Sequence, residues 1–288
     1  MRGRFAPSPT GTLHLGNLRT AMLAWLFARS AGSEFLVRME DLDTARVRPG
    51  SAEEQLADLA AIGLDWDGEV VFQSARTPLY EEALSRLDVY ECFCTRAEIR
   101  AAASAPHAPV GAYPGTCLRL TAAERAERRA SGRPPALRVR AGGARVAFED
   151  RLHGRQEGVV DDFVVRRNDG AFAYNLAVVV DDADQGVEEI VRGDDLLDST
   201  PRQLFLARAL GLPEPRHAHV PLVLGPDGAR LAKRHGAVTL RERSADEARA
   251  WMLRSLGLPE DDLLAAFDPN LKGVRPPESP PLKGSDPL

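Results

Sequence analysis

Leu18, Met22, Trp25 and Leu26 share one face of a helix that the 3.6-residue apolar period predicts over Asn17–Ser30. On either side of it, Arg2–Ala6 and Glu34–Met39 read as short strands. Ser51-x-x-Glu54 has the form of a capping box opening a second helix, which Gly63 closes, and Thr77-Pro78 starts a third with proline at the first helical position. Strand alternating with helix predicts a parallel sheet. The later part of the chain repeats the alternation. Glu188–Arg192 and His219–Leu224 read as strands around a helix that begins Thr200-Pro201-x-Gln203, again a capping box, and Ser244-x-x-Glu247 opens a last helix ending near Gly257.

The segment between these parts differs in character. Residues 89–159 hold all three cysteines, an arginine-rich stretch and a predicted hairpin, Leu137–Arg140 with Arg145–Phe148 around Ala141-Gly142-Gly143. The expected fold class is therefore α/β, a doubly wound domain in two halves, 1–88 and 160–260, interrupted by an inserted subdomain over 89–159. After Phe267 prolines accumulate while apolar residues thin out, so residues 261–288 are expected to be a disordered tail. Ligands of such folds sit outside the carboxyl ends of the parallel strands.

Composition narrows the function classes. At 288 residues, with 44% hydrophobic and 27% charged content, the chain can bury a sizeable core and is not a disordered or fibrous protein. A net charge of −5 does not suit the whole surface to a polyanion, so nucleic-acid binding needs a local basic face. Arg119, Arg125, Arg128, Arg129, Arg133, Arg138, Arg140 and Arg145, set against Glu124 and Glu127, give the 119–145 segment +6 (8 − 2), which leaves −11 for the remainder (−5 − 6). That segment reads either as a solvated helix and hairpin or as a contact for tRNA. There is no signal-peptide apolar region and no stretch near the length of a membrane span, so a cytoplasmic protein without a membrane partner is expected. An odd number of cysteines confined to one segment argues against a secreted disulfide framework and leaves metal binding or burial.

Two segments carry candidate chemistry. Arg4 through Asn17 form a proline- and glycine-rich loop that ends in His14-Leu15-Gly16 at a helix start, where backbone N–H groups favour phosphate and a histidine adds a donor. Far downstream, after Gly225-Pro226-Asp227-Gly228, comes the basic run Arg230-Leu231-Ala232-Lys233-Arg234-His235-Gly236. Taken singly, these read as a turn with a surface histidine and as a basic surface loop. In this order they resemble the two nucleotide-binding signatures of class I aminoacyl-tRNA synthetases, the first in its glutamyl-type variant. Arg230 stands where the usual first lysine would be and Ala232 where the serine would be. Asp181-Asp182-x-Asp184 lacks a full calcium-loop pattern and reads as a strand cap.

The resemblance, which spans roughly residues 4 to 240, implies a Rossmann-like catalytic domain that makes glutamyl-adenylate from glutamate and ATP with Mg²⁺. Activation without tRNA is expected because the residues for glutamate and ATP all fall in the α/β core, with no anticodon domain to gate them. It implies catalytic roles for His14, Gly16 and Lys233, and ATP contacts from Thr10, Gly11, His14, Gly16, Asn17 and Lys233. Arg4, Ala6, Ser8, Glu40, Tyr174 and Arg192 would hold glutamate, with Glu40 on the ammonium. The two arginines suit a second carboxylate, since a buried guanidinium otherwise lacks a partner. Cys92-x-Cys94 and Cys117 can converge on one structural zinc. For the fourth ligand general chemistry points to His107, while the resemblance points to Tyr113. The chain looks like the truncated, glutamyl-queuosine branch of the family, without an anticodon-binding domain. It is expected to act as a monomer and to pass glutamate to queuosine in tRNA(Asp). A minimal enzyme charging tRNA(Glu) and a silent RNA-binding zinc module remain alternatives.

Overall fold

The computed structural model describes residues 2–95, 97–99, 113–225, 231, 238–272, 274 and 276–277. Lys233, Arg230, Ala232 and His107 lie outside the described residues.

The first strand, β1 (Arg2–Phe5), leads into helix α1 (Leu15–Ser30) and then β2 (Glu34–Met39), which pairs parallel with β1 so that Arg4 faces Leu36. Helix α2 (Ser51–Ala61) follows, and β3 (Val71–Phe72) adds to β2 in parallel. Later in the chain β9 (Glu189–Gly193) and β10 (Arg216–Val220) pair parallel, with Arg192 opposite His219. The two parallel sets meet where the Glu188 N–H donates to the Arg2 C=O at 3.0 Å. Strand order runs outward from that seam in both directions, β1 to β3 on one side and β9 to β10 on the other, which makes it the switch point where an open α/β sheet leaves a crevice.

Helix α1 fills the space over the seam, packing on β1, β2 and β9. It is buried on more than the one face its period predicts. Leu15, Leu18, Met22, Leu23, Leu26 and Phe27 all enter one cluster with Phe35, Val37, Val191 and Val220, because helices α7 (Ala245–Leu256) and α8 (Leu263–Ala266) cover its outer side. That cover includes part of the expected tail. Phe267 and Leu271 are buried, and the Phe267 ring meets Phe27 edge-on with centroids 5.2 Å apart. Residues 261–272 are thus anchored to the core at two apolar positions, while residues 273, 275 and 278–288 of the expected tail lie outside the described residues.

The middle segment departs from expectation in its pairing. After helix α3 (Thr77–Ser85), β4 (Val89–Cys92), β5 (Ala136–Val139) and β8 (Val164–Arg166) form a separate antiparallel sheet, with helix α4 (Ala122–Ala130) between β4 and β5 in the chain. β6 (Ala144–Asp150) instead pairs with β7 (Gly154–Val160) and, at Asp150 opposite His217, with β10. The predicted turn forms, with the Ala144 N–H on the Ala141 C=O at 3.0 Å, but its two strands enter different sheets. The Asp162 carboxylate, which takes the N–H groups of Ala141 and Gly142 at 2.8 and 3.0 Å, fixes that divergence. Residues 144–160 therefore share the sheet of β9 and β10, which cuts across the expected 89–159 boundary.

Neither of the two expected capping boxes forms, whereas the expected helix start at Ser244 carries one. Ser244 caps α7 reciprocally with Glu247, and Gly257 ends the helix at φ 67°. Ser51 is already helical, behind Gly50 at φ 78°, and Thr200 is the first residue of α6 (Thr200–Leu210), its hydroxyl committed elsewhere. The aspartates of 181–184 close helix α5 (Tyr174–Asp184) and cap no strand. Asp181, fully buried, accepts from Gln73 at 2.7 Å, Arg76 at 2.6 Å and the Tyr80 hydroxyl at 2.9 Å, and lies 3.5 Å from Arg38. Asp181→Ala would strand those donors, so we expect it to lower the unfolding free energy by about 3–5 kcal/mol. Ser244→Ala, which removes one exposed cap, should cost about 1 kcal/mol. Urea unfolding of the two variants measures the difference.

Candidate active site

β1 delivers its C-terminal end to the seam, and the loop after it is held from below. Buried Gln55, on α2, donates its Nε2 to the carbonyls of Ser8 (3.1 Å) and Gly11 (2.6 Å). Pro7 C=O accepts from Glu40 N–H and Pro9 C=O from Arg48 N–H, at 2.9 and 3.0 Å. Gly11 sits at φ 139°, a conformation strained for any side chain. No local motif marked Gln55, which lies more than forty positions downstream of the loop it supports.

His14 is the N-cap of α1. Its Nδ1 accepts the Asn17 N–H at 3.2 Å, and the Asn17 Oδ1 accepts the His14 N–H at 3.3 Å. An accepting Nδ1 carries no proton, so the neutral ring keeps its proton on Nε2 as a donor. A Cβ at Gly16 would stand 3.0 Å from that ring, which explains the His-x-Gly spacing by packing.

A cavity of about 1070 Å³ opens at this end of the sheet. Arg4, Ala6, Ser8, Thr10, Gly11, His14, Gly16, Asn17, Glu40, Tyr174 and Arg192 all line it, so every expected glutamate and ATP residue within the described residues converges there. Leu231, two residues before Lys233, lines it as well, and the Leu231 N–H donates to the Val223 C=O at 2.9 Å. Beyond Lys233, the Val238 C=O accepts the Leu15 N–H at 2.9 Å.

The arginines are not the unpaired cations that the sequence suggested. Asp182 takes Nε and Nη2 of Arg4 at 3.2 and 3.3 Å and Nη1 of Arg38 at 2.9 Å. Among the described residues Nη1 of Arg4 has no acceptor, so one edge of that guanidinium remains for a ligand. Arg192 gives Nη1 to Gln203 at 2.7 Å, Nη2 to Thr200 at 2.8 Å and Nε to His219 at 3.0 Å. Its contacts to the Tyr174 hydroxyl and the Leu196 carbonyl are long, 3.4 Å each. Two adjacent guanidiniums in one wall make a site for an anion with two oxygens.

Glu40 supplies the opposite charge. Burial pushes its carboxyl up to about 7, against the pull of Arg38 and Arg4, while the charges of Asp182 and Asp181 add to the rise. An ammonium group is attracted only by the ionised form. We therefore expect affinity for glutamate to weaken as pH falls through about 7 and to level off above it, while Glu40→Gln binds weakly with little dependence on pH. Glutamate titration calorimetry between acidic and mildly alkaline pH decides this.

Away from the cavity, the sulfurs of Cys92, Cys94 and Cys117 lie within 4.8 Å of one another. The Tyr113 hydroxyl is 3.5 Å from Cys92 Sγ and 3.8 Å from Cys94 Sγ, and Cys94 and Cys117 are 3.4 Å apart. A tetrahedral zinc with Zn–S of about 2.3 Å has sulfur–sulfur edges of about 3.8 Å and sulfur–oxygen edges of about 3.5 Å, so this set fits the ion. Burial, the Cys117 thiol and the Cys92 charge push Cys94 up to about 12, which is how clustered thiols behave without a cation to share. The neighbouring arginine-rich segment is largely committed within the protein. Arg129 pairs with Glu91 at 2.8 Å, Arg140 with Asp88 at 3.2 Å and Arg145 with Glu157, while buried Arg138 stacks 3.7 Å over the Tyr113 ring. Among the described residues no helix is long and apolar enough to cross a membrane.

Residues 1–258 match the family described as tRNA synthetases class I (E and Q), catalytic domain. The chain is 63% identical over 279 residues to a glutamyl-Q tRNA(Asp) synthetase of Nocardia farcinica, covering 93% of this chain and 89% of that one. It is 56% identical over 256 residues to a protein of the same name from Symbiobacterium thermophilum, covering 83% and 79%. In structure it is similar to a glutamate-tRNA synthetase of Elizabethkingia anophelis, with a TM-score of 0.81 and 29% identity over 97% of this chain and 67% of that one. A glutamate tRNA ligase of Elizabethkingia meningosepticum, solved with its amino acid, gives 0.77 and 28% over 97% and 66%. The chain belongs to the class I tRNA synthetases of the E and Q type and is, like them, an ATP-dependent ligase.

Proposed function

We propose that the protein activates glutamate with ATP and transfers the glutamyl group to queuosine in the anticodon loop of tRNA(Asp). The observation that carries the first step is the cavity lined together by Glu40, Arg4 and Arg192 beside the capped end of α1. Glu40 takes the α-ammonium, the two guanidiniums take the side-chain carboxylate, and the α-carboxylate is left to react. One of its oxygens attacks the α-phosphorus of ATP while the bond to the β-phosphate breaks, and pyrophosphate leaves with the electron pair. No protein nucleophile is required, so rate comes from position and from donors aimed at phosphate oxygens. The Nε2–H of His14 and the first turn of α1 are such donors, and Lys233 adds charge as pyrophosphate departs. Mg²⁺ bound with the nucleotide would neutralise phosphate charge.

In the second step a hydroxyl of queuosine attacks the carbonyl carbon of the adenylate. AMP leaves and an ester forms. Support for this acceptor comes from the relatives, eight of which, at 47–63% identity, are named for glutamyl-Q tRNA(Asp) synthesis. Cys92, Cys94, Cys117 and Tyr113 would hold one structural zinc that braces the antiparallel sheet.

The test of the reaction is incubation with labelled glutamate, ATP and tRNA containing or lacking queuosine, followed by nuclease mapping. Label on queuosine of tRNA(Asp) is expected, with pyrophosphate exchange proceeding in the absence of RNA. Label on the terminal adenosine of tRNA(Glu), or exchange that requires tRNA, would overturn the reading. For the metal, elemental analysis should find about one zinc per chain, lost in Cys117→Ser. Full zinc content in Tyr113→Phe would remove Tyr113 from the ligand set.

A further inference from the structure

The reach of Arg192 into the cavity depends on what stands behind it. Its three short hydrogen bonds go to His219, Gln203 and Thr200, none of which lines the cavity, while the two long ones go to Tyr174 and Leu196, which do. One N–H on each terminal nitrogen is thus turned toward the cavity and held weakly enough for a carboxylate to displace its partner. The back of the guanidinium is fixed by Nε on His219 Nε2. An arginine nitrogen can only donate, so that bond exists only if His219 Nε2 is bare. Its other nitrogen, Nδ1, lies 2.6 Å from Asp150 Oδ2, and both residues are buried. Asp150 is itself held by the N–H groups of Leu152 and His153, each at 3.0 Å on Oδ1.

We infer that Asp150 and His219 are positioning residues for the glutamate site: Asp150 keeps the proton of His219 on Nδ1, and the bare Nε2 locks Arg192 with its two outer N–H groups facing the substrate. His219 touches no substrate. It acts through Arg192, and it is unrelated to His14, whose proton the helix cap places on the opposite nitrogen. The pair joins β6 to β10, and β10 to β9, so three strands set the orientation of one guanidinium. This inference rests on the assignment of Arg192 to the glutamate carboxylate.

Side-chain replacements separate the two ends of the histidine. Glutamine can place an acceptor near the former Nε2, while asparagine reaches only the former Nδ1. His219→Gln is therefore expected to keep KM for glutamate within about threefold, whereas His219→Asn should raise it about tenfold or more, the loss of one bond to a charged group. Asp150→Asn is nearly isosteric but can offer His219 a donor, which moves the ring proton to Nε2 and sets it against the Arg192 N–H. It too should raise KM about tenfold, with kcat for pyrophosphate exchange changing much less. KM does not depend on the amount of folded enzyme, so lost stability alone cannot mimic the result.

Nitrogen NMR of the histidine-labelled protein reads the tautomer directly, protonated at Nδ1 in the parent and at Nε2 in Asp150→Asn. Unchanged KM in both Asp150→Asn and His219→Asn, or a His219 proton already on Nε2 in the parent, would overturn the inference. Arg192→Lys is the control on its premise. If that variant leaves KM for glutamate unchanged, the assignment of Arg192 fails and the inference with it. If Arg192→Lys raises KM while the two positioning variants do not, only the inference fails.

Discussion

Two carboxylates at the end of one helix hold the site together. Asp182 bridges Arg4 of β1 and Arg38 of β2, while Asp181 beside it gathers Gln73, Arg76 and Tyr80. Both sit on α5, in the later part of the chain, and their partners lie in the earlier part. Buried ion pairs lose much of their attraction to desolvation, and replacing them by apolar groups is often no worse for stability. What they provide here is placement. Without Asp182 the Arg4 guanidinium has no reason to lie in the cavity wall, and without Arg38 the Glu40 carboxyl loses the nearest charge that restrains its rise. The chemistry of the cavity is a by-product of how the two parts of the sheet are joined.

The His14 end of the site was legible in the sequence because its residues are contiguous. His14, Gly16 and Asn17 fall within one helical turn, and the cap between His14 and Asn17 needs nothing from elsewhere. The supports were not legible. Gln55, Asp182, His219 and Asp150 act at ranges of tens to nearly two hundred positions, and nothing in their local sequence separates a buried acceptor from an ordinary polar residue. The reading of buried arginine as unpaired failed for this reason, since the partner of Arg4 lies 178 positions away.

Local signals also misled where a tertiary demand outbid them. Ser51 and Thr200 have the spacing of capping residues, yet Thr200 spends its hydroxyl on Arg192 and Ser51 falls inside the helix behind a left-handed glycine. The Gly142-Gly143 turn forms as a hairpin turn should, but Asp162 and two different sheets claim its arms. Proline content after Phe267 spoke for disorder, while Phe267 and Leu271 had an apolar helix to cover. The arginine count between 119 and 145 overstated the free positive surface, because Glu91, Asp88 and Glu157 lie outside that window and come back to it through folding.

The first turn of α1 has few free amides. Among the described residues, Val238 takes the Leu15 N–H and His14 takes that of Asn17, which leaves the N–H of Gly16, a cavity-lining residue with no side chain to exclude a ligand. An ambient sulfate or phosphate ion arriving there gains only one directional hydrogen bond from the helix backbone and must give up its hydration shell. A nucleotide already fixed by its base and sugar gains the same bond with no further loss of orientation. On the proposed reading, the helix would thus offer its positive end in a form that favours tethered phosphate over free inorganic anions.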